Sequence, residues 1–195
     1  LDVDIIFRTP GMNFNLTELA EARKRGIIVT SEMEVFFDLC PCKLFAVTGS
    51  DGKTTTTTLI AKMLETQGYT VHLGGNIGRP LLPIIDKINA DDCAVVELSS
   101  FQLISMRKSP NVSVITNVAP NHLDVHKNMD EYVDAKRNIM IHQNAFSRTV
   151  LNDDNAITKS FEPDVRGQAV MFSYHHPVDN GAYYGPDRVL YMNDR

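Results

Sequence analysis

Val47-Thr48-Gly49-Ser50-Asp51-Gly52-Lys53-Thr54-Thr55 lies between an apolar run, Leu44-Phe45-Ala46-Val47, and an amphipathic run carrying Leu59, Ile60, Met63 and Leu64. A strand, a glycine loop and a helix in that order are the setting a phosphate-binding loop requires. Gly49 and Gly52 let the backbone bend so that successive N–H groups point inward at an anion. A helix beginning near Thr54 adds its positive dipole end and its unpaired N–H groups. Lys53 then reaches the terminal phosphates, and the Thr54 hydroxyl ligates the accompanying magnesium. Gly49, Ser50, Asp51, Gly52, Lys53, Thr54 and Thr55 are therefore the candidate nucleotide-binding residues. The longer form of this pattern has glycine at position 47, where this chain has valine, so Gly-x-x-Gly-Lys-Thr-Thr is a compact version. The plainer alternative is a glycine-rich turn capping a helix, with Lys53 a solvated charge. The flanking strand and helix favour a nucleoside triphosphate.

The rest of the composition narrows the class. A length of 195 residues suits one large domain, or one domain plus part of another. A hydrophobic content of 43% with 22% charged residues is ordinary for a globular chain. A net charge of −5 argues against a general nucleic-acid grip. No apolar run approaches the roughly 18–20 residues of a membrane span, and no signal-peptide pattern opens the chain. Cys40, Cys42 and Cys93 are an odd, scattered set, so reduced thiols are expected rather than a zinc site. These features point to the cytoplasm and to no membrane or nucleic-acid partner; a monomer is the expected state, though no feature of the composition sets it. The chain has no initiator methionine and stops just after an apparent hairpin, so both ends read as those of a piece of a longer protein.

Taken in order, Asp4–Arg8 predicts a short strand, followed by the turn signal Thr9-Pro10-Gly11. A helix over 16–25 ends at Gly26, and a second strand over 27–30 leads to a helix over 32–39. Strands are expected at 44–47, 71–73, 93–98, 112–117, 149–151 and 169–173, with helices near 54–67, 80–87, 130–143 and 154–160. Gly181–Tyr184 and Val189–Met192 flank Gly185-Pro186-Asp187 as a hairpin. Strands alternating with helices imply an α/β fold with a doubly wound, mostly parallel sheet. Such sheets place ligands at the carboxyl ends of their strands.

Three groups fall near those ends. Glu97 closes an apolar strand and is placed to hold magnesium. His122 follows the next buried strand, and His122-Leu123-Asp124-Val125-His126 carries a spacing that transition metals also use. A core or capping role for His122 stands equally open. Lys136 sits in a helical stretch and by composition is a surface lysine.

Several blocks together resemble the Mur ligases. They are Thr48–Thr55, Gly75-Asn76-Ile77-Gly78, Glu97-Leu98-Ser99-Ser100-Phe101-Gln102-Leu103, Asn117 to Asp124, and Ala135-Lys136. Glu-Leu-Ser-Ser-Phe-Gln-Leu is the most discriminating block and points to the branch of the family that adds D-glutamate. The Gly-Asn-Ile-Gly loop, Thr9-Pro10-Gly11 and Asn180–Tyr183 point the same way.

The resemblance implies an ATP-dependent amide-bond ligase of peptidoglycan synthesis. ATP phosphorylates the alanine carboxylate of UDP-N-acetylmuramoyl-L-alanine, and the amine of D-glutamate attacks the acyl phosphate. It assigns catalytic roles to Lys53, His122 and Lys136. It gives one magnesium to Thr54 and Glu97 and a second to His122 and a carbamylated Lys136. Asn76, Ser99 and Gln102 would face the sugar substrate. It also implies that residues 1–42 end a Rossmann-like N-terminal UDP-substrate-binding domain. Residues 43–195 would be most of a central ATP-binding domain, with the family's C-terminal domain absent, leaving a piece that does not ligate alone. Asp51 stands where asparagine is commoner. A sister ligase and a nucleotide-binding switch module are the alternatives. Phe101-Gln102 argues against the first, and the absence of Asn-Lys-x-Asp argues against the second.

Overall fold

The computed structural model describes residues 2–120 and 126–193. Its centre is β3 (Lys43–Thr48), the strand that delivers the glycine loop. Ala46, Val47 and Thr48 are wholly buried because neighbours pair on both edges and helices cover the faces. β3 pairs in parallel with β5 (Cys93–Glu97) on one edge, Val47 opposite Glu97. On the other edge it pairs with β6 (Val112–Ile115), Thr48 opposite Ile115.

Beyond β5 lies β4 (Val71–Gly75). Beyond β6 come β7 (Arg148–Asn152), β8 (Gln168–Ser173), β9 (Gly181–Tyr184) and β10 (Leu190–Asn193), in the order β10-β9-β8-β7-β6-β3-β5-β4. All pairs in this sheet are parallel except β9 with β10, the hairpin that Gly185-Pro186-Asp187 predicts. From β3 the chain goes out to β4, returns to β5, then crosses β3 to reach β6. The carboxyl end of β3 is thus a switch point, where connections diverge and leave a crevice.

α3 (Lys53–Thr66) starts directly after Gly52, whose φ of 76° is the left-handed geometry glycine adopts without strain. No acid occupies its first turn, so its positive end is left for an outside anion. α5 (Met129–Ile141) is capped by the Asn128 side chain, which accepts the Glu131 N–H. Tyr132, Ala135, Lys136, Ile139 and Met140 form its buried stripe at three- and four-residue spacing.

Residues before β3 build a separate two-stranded parallel sheet, β1 (Ile5–Phe7) with β2 (Ile28–Thr30). α1 (Thr17–Lys24) and α2 (Glu32–Leu39) follow these strands. Met33, Phe36 and Phe37 of α2 join the core of the large sheet, beside Leu81, Ala94 and Leu98. Burying three such side chains supplies about 5–9 kcal/mol of transfer free energy, enough to hold α2 against the main body. Arg8 adds a polar tie, donating to the Phe101 carbonyl at 2.8 Å and to Ser105 Oγ at 3.2 Å.

Two expected helices differ. The helix predicted over 80–87 is a 3-10 segment, Leu82–Lys87, because Pro80 and Pro83 lack N–H donors and Ile84 leaves helical geometry. The helix predicted over 154–160 shrinks to α6 (Ala156–Lys159). Asp154 is drawn away to accept from Ser173 Oγ at 2.7 Å and the Tyr174 N–H at 2.6 Å. A short helix absent from the sequence reading, α4 (Ser100–Leu103), follows β5.

Candidate nucleotide site

The glycine loop is clamped to the end of β6. Ser50 N–H donates to the Asn117 carbonyl at 2.9 Å, and Asp51 N–H donates to Asn117 Oδ1 at 3.0 Å. Ser50 Oγ donates to the Ala119 carbonyl and accepts the Ala119 N–H, both at 2.9 Å. Gly49 has a φ of +154°, and a Cβ there would stand 1.8 Å from Thr116 Oγ1, so only glycine allows this close approach. Lys53 Nζ donates to the Ser50 carbonyl at 2.8 Å, curling over the loop it belongs to.

The end of β5 supplies the acid. Glu97 is 2% exposed, with Oε2 accepting Thr54 Oγ1 at 2.6 Å and Oε1 accepting Asn76 Nδ2 at 2.9 Å. Asn76 is fixed in turn, its N–H donating to the Glu97 carbonyl at 2.8 Å. Thr54 and Glu97 thus stand together as a pair of hard oxygen donors, the chemistry that magnesium selects.

Lys136 is the departure from composition. It is 2% exposed rather than a surface lysine, and its Nζ donates to the Gly49 carbonyl at 2.7 Å. The ammonium lies 4.7 Å from the centre of the Tyr132 ring. Burial first, then the nearby Lys53 charge, lowers its pKa to about 7, with Asp51 working the other way. Such an amine is half neutral near neutrality and available for chemistry at nitrogen.

Ser99 and Gln102 meet each other in a capping box that starts α4. Gln102 Oε1 accepts Ser99 N–H at 3.0 Å and Ser99 Oγ at 3.1 Å, while Ser99 Oγ accepts the Gln102 N–H. Gln102 also lines a cavity of about 180 Å³ with Arg8, Thr9 and Ser31, between the small sheet and α4. His122 lies outside the described residues. His126 is buried, shares a 2.9 Å hydrogen bond with Ser100 Oγ and stacks on Phe101 at 5.1 Å.

The sequence reading gave no role to Tyr132, or to Asn117 beyond its place in one of the blocks singled out. Tyr132 carries Lys136 on its ring and shares a 3.0 Å hydrogen bond with Ser50, joining lysine to loop. Its position four residues before Lys136 is the signal that was there to be read.

A doubly wound sheet bearing this loop, acid and helix is a phosphate-loop nucleotide-binding domain. The Mur ligase middle domain matches residues 47–185, and the chain belongs to the Mur ligase family. The chain is 57% identical over 190 residues to a UDP-N-acetylmuramoylalanine–D-glutamate ligase of Acetivibrio thermocellus, covering 97% of this chain and 41% of that protein. It is 51% identical over 193 residues to the ligase of the same name from Clostridium tetani, covering 98% and 42%. The chain therefore spans about two fifths of the length of these relatives.

Solved structures show the same fold. One is UDP-N-acetylmuramate:L-alanyl-gamma-D-glutamyl-meso-diaminopimelate ligase from Neisseria meningitides, with TM-score 0.66 and 14% identity, covering 97% of this chain and 65% of that one. Another is UDP-N-acetylmuramate-alanine ligase from Thermotoga maritima, with TM-score 0.57 and 24% identity, covering 90% and 40%.

Proposed function

We propose that this chain is the nucleotide-binding core of an ATP-dependent ligase that joins D-glutamate to UDP-N-acetylmuramoyl-L-alanine through an acyl phosphate. One observation carries the reading. The 2.6 Å pairing of Thr54 with buried Glu97 and the 2.7 Å bond from Lys136 to Gly49 put a metal-binding acid and a tuned amine at one phosphate loop. Loop amides and Lys53 hold the phosphates of ATP and align the terminal one for transfer between two anions. Thr54 and Glu97 would hold magnesium, which neutralises phosphate charge when bound. Their short oxygen pair, with no thiol or imidazole in it, fits that ion.

Lys136, as its carbamate, and His122 would hold a second ion beside the substrate carboxylate. Asn76, Ser99 and Gln102 face the sugar. The separate β1–β2 sheet supports reading residues 1–42 as the end of a UDP-substrate-binding domain, with 43–195 as the ATP-binding domain. The protein works in the cytoplasm as a monomer, and no helix among the described residues is long and apolar enough to cross a membrane. The chain by itself binds nucleotide without ligating, since its relatives of that name are more than twice as long.

The test uses a polypeptide of the relatives' length that carries this sequence. Incubated with ATP, magnesium, UDP-N-acetylmuramoyl-L-alanine and D-glutamate, it should yield ADP, phosphate and the amide. Product from L-alanine or diaminopimelate in place of D-glutamate would move the protein to a sister activity.

A further inference from the structure

Asp51 is the electrostatic anomaly of the loop, a carboxylate set among groups arranged to receive an anion. Its backbone does not explain the choice of side chain. The N–H donates to Asn117 Oδ1 at 3.0 Å, and the carbonyl accepts from Thr116 Oγ1 at 2.6 Å and Asn117 Nδ2 at 3.3 Å. Any residue but proline supplies those groups. The side chain is exposed and its carboxylate accepts no hydrogen bond among the described residues. Its charge nevertheless reaches into the site. It opposes the lowering of the Lys136 pKa and helps raise that of Tyr132, so it lies within Coulomb range of both. Gly52 and Lys53 follow it directly, placing it at the mouth through which phosphates reach the α3 terminus.

We propose that Asp51 is a charge filter that makes the loop select nucleotide complexed with a divalent cation over the bare polyanion. The inference rests on the loop being a nucleotide site. A divalent cation cancels about two of the roughly four negative charges of a nucleoside triphosphate, so repulsion from a fixed carboxylate falls to about half. The carboxylate also presents a hard oxygen to the hydrated cation. Lys53, which sits over the loop on the Ser50 carbonyl, attracts both forms, so the discrimination comes from the acid. The filter would keep free nucleotide from occupying the loop in a form that cannot react.

Binding of a fluorescent ATP analogue to the chain tests this, with magnesium in excess and with EDTA. Asp51→Asn should bind the metal-free analogue about tenfold more tightly than the parent, the size expected for one charge pair at surface dielectric. Its affinity for the magnesium complex should rise by only about threefold, half of that effect in free energy. Asp51→Ser, with the same charge change and a different shape, should behave alike, and Asp51→Glu should keep the parental preference. An unchanged ratio between the two conditions, or disagreement between the two neutral variants, overturns the filter while leaving the loop a nucleotide site. Failure of the parent to bind in either condition overturns the nucleotide site itself, and the filter with it.

Discussion

Lys136 Nζ lies 2.7 Å from the carbonyl oxygen of Gly49, eighty-seven positions earlier in the chain. That contact fastens α5 to the phosphate loop. It also puts a lysine where desolvation penalises its charge, and the pKa falls to about 7.

The pH dependence of stability follows from that value. An unfolded lysine keeps its proton to about pH 10.4, whereas folded Lys136 gives it up near pH 7. Between these limits the unfolded chain binds the extra proton, so this group makes stability rise with pH. Below the folded pKa both states are protonated and the slope vanishes. Urea melts should show wild type gaining about 2 kcal/mol relative to Lys136→Met between about pH 7.5 and pH 9.5. The neutral amine should also capture carbon dioxide, giving a carbamate carbon signal with labelled bicarbonate that Lys136→Ala lacks. Parallel stability profiles for wild type and variant would place the lysine in solvent.

Lys53→Ala should abolish nucleotide turnover in a polypeptide of the relatives' length without unfolding the domain. Lys53 sits over the loop on the Ser50 carbonyl and is free to exchange that oxygen for a phosphate. Losing a charge-assisted contact of this kind costs about 2–4 kcal/mol at the transition state. Turnover near the wild-type rate, measured by release of phosphate, would remove the lysine from the chemistry.

Glu97→Gln separates charge from shape. The amide oxygen can keep the bond from Asn76 Nδ2, its N–H can donate to Thr54 Oγ1 instead of accepting from it, and the side chain nearly fills the space of the carboxylate, but it offers magnesium no charge. Magnesium-dependent nucleotide binding should weaken by about ten- to a hundredfold, as for loss of one charged ligand contact. Metal-free binding should hold or improve. A titration of nucleotide at fixed magnesium reads both, and equal losses in the two conditions would mean a purely structural acid.

Much of this site was legible in the sequence, because the loop is local and the strands beside it are buried on both faces. An uninterrupted run such as Cys93–Glu97 has few other uses. What stayed hidden depends on distant partners. The helical stripe of α5 placed Lys136 beside Ile139 and Met140, but only Gly49, supplied by another segment, makes an inward lysine tolerable. The 3-10 turn at Leu82–Lys87 is set by Pro80 and Pro83, which take N–H donors out of a stretch whose apolar spacing suits a helix. Arg8 looked like the polar end of a strand, and its bonds to the Phe101 carbonyl and Ser105 Oγ cross from the end of β1 to α4 and the turn that follows it.

Gly75→Ala tests whether the β4 end must lie so close to Glu97. Gly75 has a φ of +91°, and an added Cβ would stand 2.2 Å from the Glu97 carbonyl oxygen. Backbone cannot yield as the tip of a side chain can, so the end of β4 must move off β5. That shift would pull on both Asn76 contacts with Glu97, the 2.8 Å backbone bond and the 2.9 Å side-chain bond. Gly26→Ala is the control, because its φ of +79° is also left-handed while nothing lies within 4 Å of its Cβ. The control should lose only the conformational term of about 1 kcal/mol, a fall of about 2–4 °C in Tm for a chain of this size. Gly75→Ala should lose that term plus the steric one, about 3 kcal/mol or more in all, and its magnesium–nucleotide affinity should fall with the displaced acid. Equal melting temperatures for the two variants would show that the crowded contact at Glu97 is not needed to hold the site together.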